Sequence, residues 1–150
     1  MNREQRIGTY RRSLESNEKK AAARLSEAEK KLQEARQRLE QLERYRSDYT
    51  ASFGTRAAAG ISGPALLDFQ AFIARLEEAI RQQASVVTKI EMDRGQVHQR
   101  LREVAVQNRA VGAVVERWRA EDRVAENRIE QKAVDERSGR AAAVMTLTGT

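Results

Sequence analysis

The segment GTRAAAGISGP (residues 54–64) divides the chain into two long helix-favouring runs and therefore decides the fold. Gly54, Gly60, Gly63 and the only proline, Pro64, fall within this segment. Glycine ends helices in a left-handed conformation at little cost, and proline is accepted in the first turn of a helix. Ser62 or Gly63 can cap the second helix. The sequence therefore predicts a bend over residues 54–64.

Apolar residues recur with alternating spacings of three and four on both sides of this bend, which is typical of a coiled-coil seam. The run LSEAEKKLQEARQRLEQLERY (residues 25–45) shows the pattern most clearly. The repeated positions before the bend are Ile7, Leu14, Ala21, Leu25, Ala28, Leu32, Ala35, Leu39, Leu42 and Tyr49. Those after it are Phe69, Ile73, Leu76, Ile80, Val87, Ile90, Val97, Leu101, Val104, Val111, Val115 and Trp118.

A short connection makes the two helices antiparallel neighbours. Residue numbers across the seam then add to a constant, so that Tyr49 faces Phe69 and Leu42 faces Leu76. Small residues on one helix meet large ones on the other, as dense packing requires. The predicted fold is all-α, a long two-helix antiparallel coiled-coil hairpin with an overhanging C-terminal helix. Its predicted parts form one domain over residues 1–150: helix 1 about 3–53, bend 54–64, helix 2 about 65–137, flexible tail 138–150.

The composition argues against an enzyme and against a membrane-spanning protein. Cysteine is absent, His98 is the only histidine, and neither phosphate-loop motif, GxxxxGK[ST] nor GxGxxG, occurs. A two-helix rod also lacks a cleft that could desolvate an acid–base pair. We therefore expect no catalytic residues, no metal, no cofactor and no small-molecule ligand. We find no secretory signal and no apolar stretch near the roughly 20 residues that span a bilayer, so the expected protein is soluble and cytoplasmic.

The charge is unevenly placed along the chain. The 28 Lys and Arg residues exceed the 22 Asp and Glu residues, and residues 1–56 carry 14 basic and 9 acidic side chains. Such a surplus suits nucleic acid, anionic lipid or an acidic protein surface. Because the signs mostly alternate, the pattern favours an ordinary solvated coiled-coil face.

Two regions exceed what a hairpin seam can bury. Helix 1 starts too early to cover helix 2 beyond about residue 115, yet Val115, Trp118, Ala125 and Ile129 continue an apolar side there. This part is either a frayed end or a helix that completes its burial in a partner. Near the bend, a second apolar stripe either caps the hairpin or forms a docking site. Its residues are Leu42, Tyr45 and Tyr49 with Phe72, Leu76 and Ala79.

Three segments resemble the flagellar export protein FliJ family of the bacterial type III export apparatus. They are LEQLERYRSDYTASF (39–53), AGISGPALLDFQAFIARLEEAI (59–80) and AENRIEQKAVDERSGRAA (125–142), in the same order and with similar distances between them. The resemblance implies a coiled coil that looks like the stalk of rotary ATP synthases. It implies binding to the hexameric export ATPase, to the export-gate membrane protein FlhA and to empty export chaperones, at the inner-membrane face of the flagellar basal body.

The resemblance also implies two sets of contact residues. The export-gate patch would be Leu42, Tyr45, Tyr49, Phe72, Leu76 and Ala79, flanked by Arg38 and Gln83. The ATPase-facing set would be Trp118, Arg123, Arg128, Ile129, Gln131 and Lys132. The predicted function is a non-enzymatic stalk that couples the ATPase to the gate. The alternatives are the equivalent stalk protein of a virulence type III secretion system, a basic nucleic-acid-binding coiled coil, and a homodimeric scaffold.

Overall fold

A computed structural model describes residues 2–149. These residues form two α-helices, α1 (Arg3–Ala58) and α2 (Gly63–Thr148), which pack against each other, and no strand. The predicted all-α helical hairpin is confirmed. The described chain divides into two compact units, each containing a stretch of both helices. We call Ser16–Val104 the bend unit, and Met1–Glu15 with Ala105–Thr150 the terminal unit. The assignment of residues 1–150 to one domain stays a prediction.

The turn between the helices is shorter than the sequence predicted. Helix α1 continues through Gly54 to Ala58, where prediction ended it at residue 53, because Thr55 and the alanines after it sustain helical hydrogen bonds. The Thr55 hydroxyl donates to the Ala51 carbonyl at 3.2 Å. Gly60 then adopts φ +96°, which a residue with a Cβ rarely adopts, and this breaks the helix. The bend is therefore residues 59–62, not 54–64.

Both helix starts are capped by side chains. Asn2 Oδ1 accepts a hydrogen bond from the Gln5 amide at 2.9 Å, and Gln5 Oε1 accepts one from the Asn2 amide at 3.3 Å. This reciprocal pair is a capping box that satisfies amides at the start of α1. At the start of α2, Ser62 Oγ accepts from the Ala65 amide at 3.2 Å. Of the two predicted caps, Ser62 is therefore the N-cap, and Gly63 is the first helical residue.

The core of the bend unit is the predicted seam. Leu32, Ala35 and Val87 form a buried cluster against which Leu39 and Ile90 pack. Gln83 Nε2 donates to the Ala35 carbonyl across the two helices at 3.0 Å, and this pair of residue numbers has the predicted constant sum. Small alanines of α1 thus face branched residues of α2, and the helices can approach closely. The other buried apolar residues of this unit are Ala21, Ala28, Leu76, Ile80 and Val104.

In the terminal unit, fewer apolar residues are buried between the start of α1 and α2 than in the bend unit. Leu14 and Val115 are its buried apolar residues, at 4% and 6% exposure. The Arg11 side chain crosses to α2, where its Nη2 atom would lie 3.7 Å from a Cβ at Gly112. Arg3 reaches Glu121 and Asp122, so α1 covers α2 further than the predicted limit of about residue 115.

Helix α2 also continues well past its predicted end at residue 137. The helix extends to Thr148, because residues 141–143 are three alanines and no proline follows them. The Thr146 and Thr148 hydroxyls donate to the Ala142 and Val144 carbonyls at 2.8 and 2.9 Å, as they do on a continuous helix. The predicted tail over 138–150 is therefore helical as far as residue 148, and Thr150 lies outside the described residues.

The left-handed conformation at Gly60 gives a direct test of the bend. We expect Gly60→Ala to lower the unfolding free energy by about 1 to 2 kcal/mol, because a Cβ strains a residue held at positive φ. Gly54→Ala is the matched control: this residue lies inside α1 with open space where a Cβ would stand, and the change should stabilise by about 1 kcal/mol. Thermal unfolding followed by circular dichroism measures both. Equal stabilisation by the two changes would contradict the positive-φ turn.

Candidate functional site

An aromatic cluster lies on the bend unit, where α1 and α2 approach the turn. The Tyr49 ring is 4.5 Å from the Phe72 ring and 5.6 Å from the Phe69 ring, centroid to centroid. Tyr45 makes an edge contact with Phe72 at 6.0 Å and lies 6.2 Å from Tyr49. These separations are typical of favourable aromatic pairs. The contact between Tyr49 and Phe69 also matches the predicted pairing across the seam.

The six residues of the predicted gate patch are brought together but differ in exposure. The Tyr45 residue is 51% exposed, whereas Leu76 is only 7% exposed and belongs to the core of the hairpin. Leu42, Tyr49, Phe72 and Ala79 are half-buried. Of the six side chains, Tyr45 is therefore the most accessible to solvent and Leu76 the least. This set of six residues is called the aromatic patch from here on.

Sequence reasoning missed Phe53 as a member of the cluster. Its ring stacks on the Phe69 ring with centroids 3.7 Å apart and an interplanar angle of 8°. Phe53 lies four residues after Tyr49 on the same helix face, a spacing that could have identified it. Because the prediction ended helix 1 at residue 53, Phe53 was not placed on the same helix face as Tyr49. Stacking of Phe53 on Phe69 extends the aromatic surface from the patch toward the turn.

An ion pair borders the patch on α2. The Arg81 guanidinium donates to Glu78 Oε2 at 2.7 Å from Nη2 and 3.1 Å from Nε. These hydrogen bonds, together with the charge of Arg81, hold the pKa of the Glu78 carboxyl below its usual value. Glu78 is therefore anionic at neutral pH, and the charge of Arg81 is neutralised within α2 beside Ala79.

The predicted ATPase-facing residues lie on the terminal unit, and five of the six are on a part of α2 that α1 does not cover. Of the described residues of α1, Arg3 is the first in the helix, and it pairs with Glu121 and Asp122. From residue 123 to 148 every α2 residue except Ala133 is exposed. At 1.5 Å per residue this free segment is about 39 Å long. It contains Arg123, Arg128, Ile129, Gln131 and Lys132, and the exposure of Ile129 is 70%.

Trp118 differs from the other five residues because α1 covers it. The Arg3 guanidinium carbon lies 4.7 Å above the centroid of the Trp118 ring, within the range of a cation–π contact. The same guanidinium forms ion pairs with Glu121 at 3.6 Å and Asp122 at 3.2 Å. Trp118 is half-buried as a result. Trp118 therefore belongs to the covered part of α2, and the free segment begins after the ion pairs at Glu121 and Asp122.

Among residues 2–149, no three His, Asp or Glu side chains come close enough together to hold a metal ion. In the same range, no helix is both long enough and apolar enough to cross a lipid bilayer. The two surfaces are open faces of helices, which are suited to contacts with other macromolecules.

Comparison with known proteins gives the family. The family model described as "Flagellar FliJ protein" matches residues 8–145. The chain belongs to the flagellar FliJ family. It is 31% identical over 122 residues to the flagellar FliJ protein of Salmonella typhi, covering 81% of this chain and 83% of the relative. It is 29% identical over 136 residues to that of Escherichia coli K12, covering 91% and 92%. No solved structure matches significantly.

Membership in the FliJ family fixes the general role. The protein is a component of the flagellar export apparatus and takes part in flagellum biogenesis, in a family of non-catalytic export components. Both relatives are named as flagellar proteins, which favours the flagellar apparatus over the virulence secretion system that the sequence left open.

The contact between Arg3 and Trp118 can be tested with the only tryptophan as reporter. We expect Arg3→Ala to shift Trp118 emission to longer wavelength and to increase quenching by acrylamide, because water replaces the guanidinium above the ring. Arg6→Ala removes a cation from the same helix end without touching Trp118 and is the control. Identical spectra for both variants and the unmodified protein would show that Arg3 does not cover the ring.

Proposed function

We propose that this FliJ-family protein is a stalk-like factor of the flagellar export apparatus. In this proposal the free segment of α2 binds the hexameric export ATPase and stimulates it, and the aromatic patch docks on the export-gate protein FlhA. The protein itself catalyses nothing; it couples the two machines and also handles empty export chaperones. It works in the cytoplasm, peripherally associated with the inner membrane at the flagellar basal body.

The observation that carries the proposal is the exposed helix over residues 123–148. A single helix of this length gains little stability in water without packing, so contact with a partner would complete its burial. Its charged residues alternate in sign from Arg123 to Lys132, and Gln131 Nε2 donates to Asp135 Oδ1 at 3.2 Å on its surface. Exposed Arg123, Arg128 and Lys132 suit a contact made mainly by solvent-accessible charges, together with exposed apolar side chains such as Ile129.

The aromatic patch supports the second half of the proposal. Tyr45 is half-exposed although Phe72 and Tyr49 contact it, so the hairpin does not complete its burial. Rigid aromatic side chains lose little conformational entropy on binding and commonly supply much of the binding energy at interfaces. A partner that inserts an apolar side chain between Tyr45 and Phe72 would bury these ring edges. The gate protein is the partner that the family resemblance implies.

The ATPase half predicts a truncation effect. Removing residues 123–150 should abolish stimulation of the export ATPase, because the free segment is lost while every residue that contacts α1 is kept. Removing only residues 138–150 is the control and should preserve stimulation, since Arg123, Arg128, Ile129, Gln131 and Lys132 remain. Steady-state ATP hydrolysis by the organism's export ATPase measures both. Full stimulation by the shorter protein would refute a role for the free segment.

The gate half predicts the effect of removing two rings. The double change Tyr45→Ala with Phe72→Ala should weaken binding to the cytoplasmic region of FlhA by about tenfold or more, because truncated aromatic anchors typically cost over 1 kcal/mol each. Tyr10→Ala with Leu67→Ala removes two exposed apolar side chains outside the patch and should leave binding unchanged. Calorimetric titration gives the affinities, and circular dichroism verifies helicity. Unchanged affinity of the patch variant would disprove docking there.

A further inference from the structure

The two flanks of the seam in the bend unit differ in whether their charged side chains form ion pairs between the helices. On one flank α1 and α2 exchange ion pairs: Arg36 Nη2 lies 2.9 Å from Glu91 Oε1, and Arg94 Nη2 lies 3.5 Å from Glu29 Oε1. These pairs neutralise their charges across the seam. The opposite flank has cations of its own, but no comparable pair between described residues links the two helices there.

The cations of the second flank lie on one line of α1. Arg24, Lys31 and Arg38 are spaced by seven residues, and Tyr45 is the next position of the same line. Successive members are about 10 Å apart along the helix. All four are exposed. Within residues 2–149, none of the three cations lies within 4 Å of a carboxylate or makes a side-chain hydrogen bond.

The facing line of α2 follows from the contact between Tyr45 and Phe72, whose rings are 6.0 Å apart. In an antiparallel pair, a step of seven back along α1 matches a step of seven forward along α2. Arg38 is therefore beside Ala79, Lys31 beside Val86, and Arg24 beside Asp93. Val86 is an aliphatic side chain that remains 41% exposed. Lys31 and Arg38 thus lie next to apolar side chains, whereas Arg24 lies next to the acidic residue Asp93.

The cationic row is continuous with the aromatic patch. A shallow groove on α1 is lined by Arg38 together with Leu42 and Tyr45 of the patch, and by Glu34, Gln37 and Gln41. The cation nearest the patch and two patch residues therefore share one surface. A partner seated on the patch can extend directly onto the row without crossing another element. We call Arg24, Lys31 and Arg38 the cationic row.

We propose that an acidic segment of the gate protein lies along the cationic row while an apolar part of the same segment occupies the aromatic patch. This inference rests on the proposed docking of the gate at that patch. Three unpaired cations with regular spacing attract carboxylates at matching intervals, and Val86 and Ala79 supply apolar contact between them. The segment is thus an amphipathic polypeptide with acidic residues that recur about every 10 Å.

The neighbouring acids favour a polypeptide over a membrane or a nucleic acid. Glu27 lies three residues after Arg24, Glu34 lies three residues after Lys31, and both carboxylates are on the solvent side of α1. A uniformly anionic lipid surface or phosphate backbone would meet these carboxylates along with the cations and be repelled. A polypeptide can place its carboxylates only at the cations. The charge pattern therefore selects an occupant with discrete negative groups.

The test compares two triple variants of the full-length protein. Arg24→Glu, Lys31→Glu and Arg38→Glu reverse the row. Lys19→Glu, Lys30→Glu and Lys89→Glu make the same change in net charge at exposed positions that have no ion-pair partner among the described residues. Binding to the cytoplasmic region of FlhA is measured by calorimetric titration between about 50 and 300 mM salt, a range over which screening of exposed charges increases strongly.

We expect the row variant to weaken binding by roughly tenfold at low salt and to reverse the salt dependence, because like charges then face each other across the interface and added salt screens their repulsion. The control variant should keep both affinity and salt dependence. Equal weakening by the two variants would overturn the inference, since net charge alone would then explain the effect.

The remaining outcomes separate this inference from the proposed function. If the row variant binds normally while Tyr45→Ala with Phe72→Ala does not, the gate docks on the patch but no acidic segment follows the row. If the unmodified protein fails to bind the gate region, the gate half of the proposed function is wrong and this inference falls with it. Row-dependent sedimentation with phosphatidylglycerol vesicles or binding to duplex RNA, with row-independent gate binding, would assign the row to an anionic surface instead.

Discussion

Each helix of this protein has a narrow apolar stripe that is buried by packing against the other helix. The rest of the structure depends on this packing. Leu32 and Val87 in the bend unit show how it works, since alanines at neighbouring positions of α1 let branched residues of α2 approach. Such a seam buries few residues, so nearly every other side chain meets solvent. A high proportion of charged residues is therefore compatible with folding. Because the seam buries so few residues, apolar surface outside it is informative about partners.

The seam and its register could be predicted because both follow from periodicity, a property of the sequence that tertiary contacts do not alter. Tyr49 faces Phe69 as the constant sum requires, and Ser62 caps α2 because its hydroxyl is the first side chain that can accept from an amide of the new helix. The Tyr45 and Phe72 contact was also foreseeable, since the seam lacks room for every apolar residue near the bend. Periodicity also anticipated that α2 extends beyond α1.

Helix ends and long-side-chain contacts could not be predicted with the same accuracy. Gly54 suggests a break, but a single glycine costs a helix only about 1 kcal/mol, which the flanking turns of a long helix offset. At the C-terminal end of α2, the apolar periodicity stops near residue 137. The high helix propensity of the alanines nevertheless extends α2 to Thr148. Arg3 covers Trp118 because an arginine side chain extends far beyond its own helix turn. Rules based on residue spacing do not take the length of a side chain into account.

The asymmetry of the seam's two flanks connects the fold to function. Interhelical ion pairs such as Arg36 with Glu91 join the two helices on one flank of the apolar seam. Cations on the other flank then contribute little to stability, because exposed pairs are worth at most about 1 kcal/mol even when they form. Their positions are free to match a partner without weakening the hairpin. Arg38 and Tyr45 line one shallow groove, and under the proposed docking the spacing of charges there, rather than a deep pocket, would set specificity.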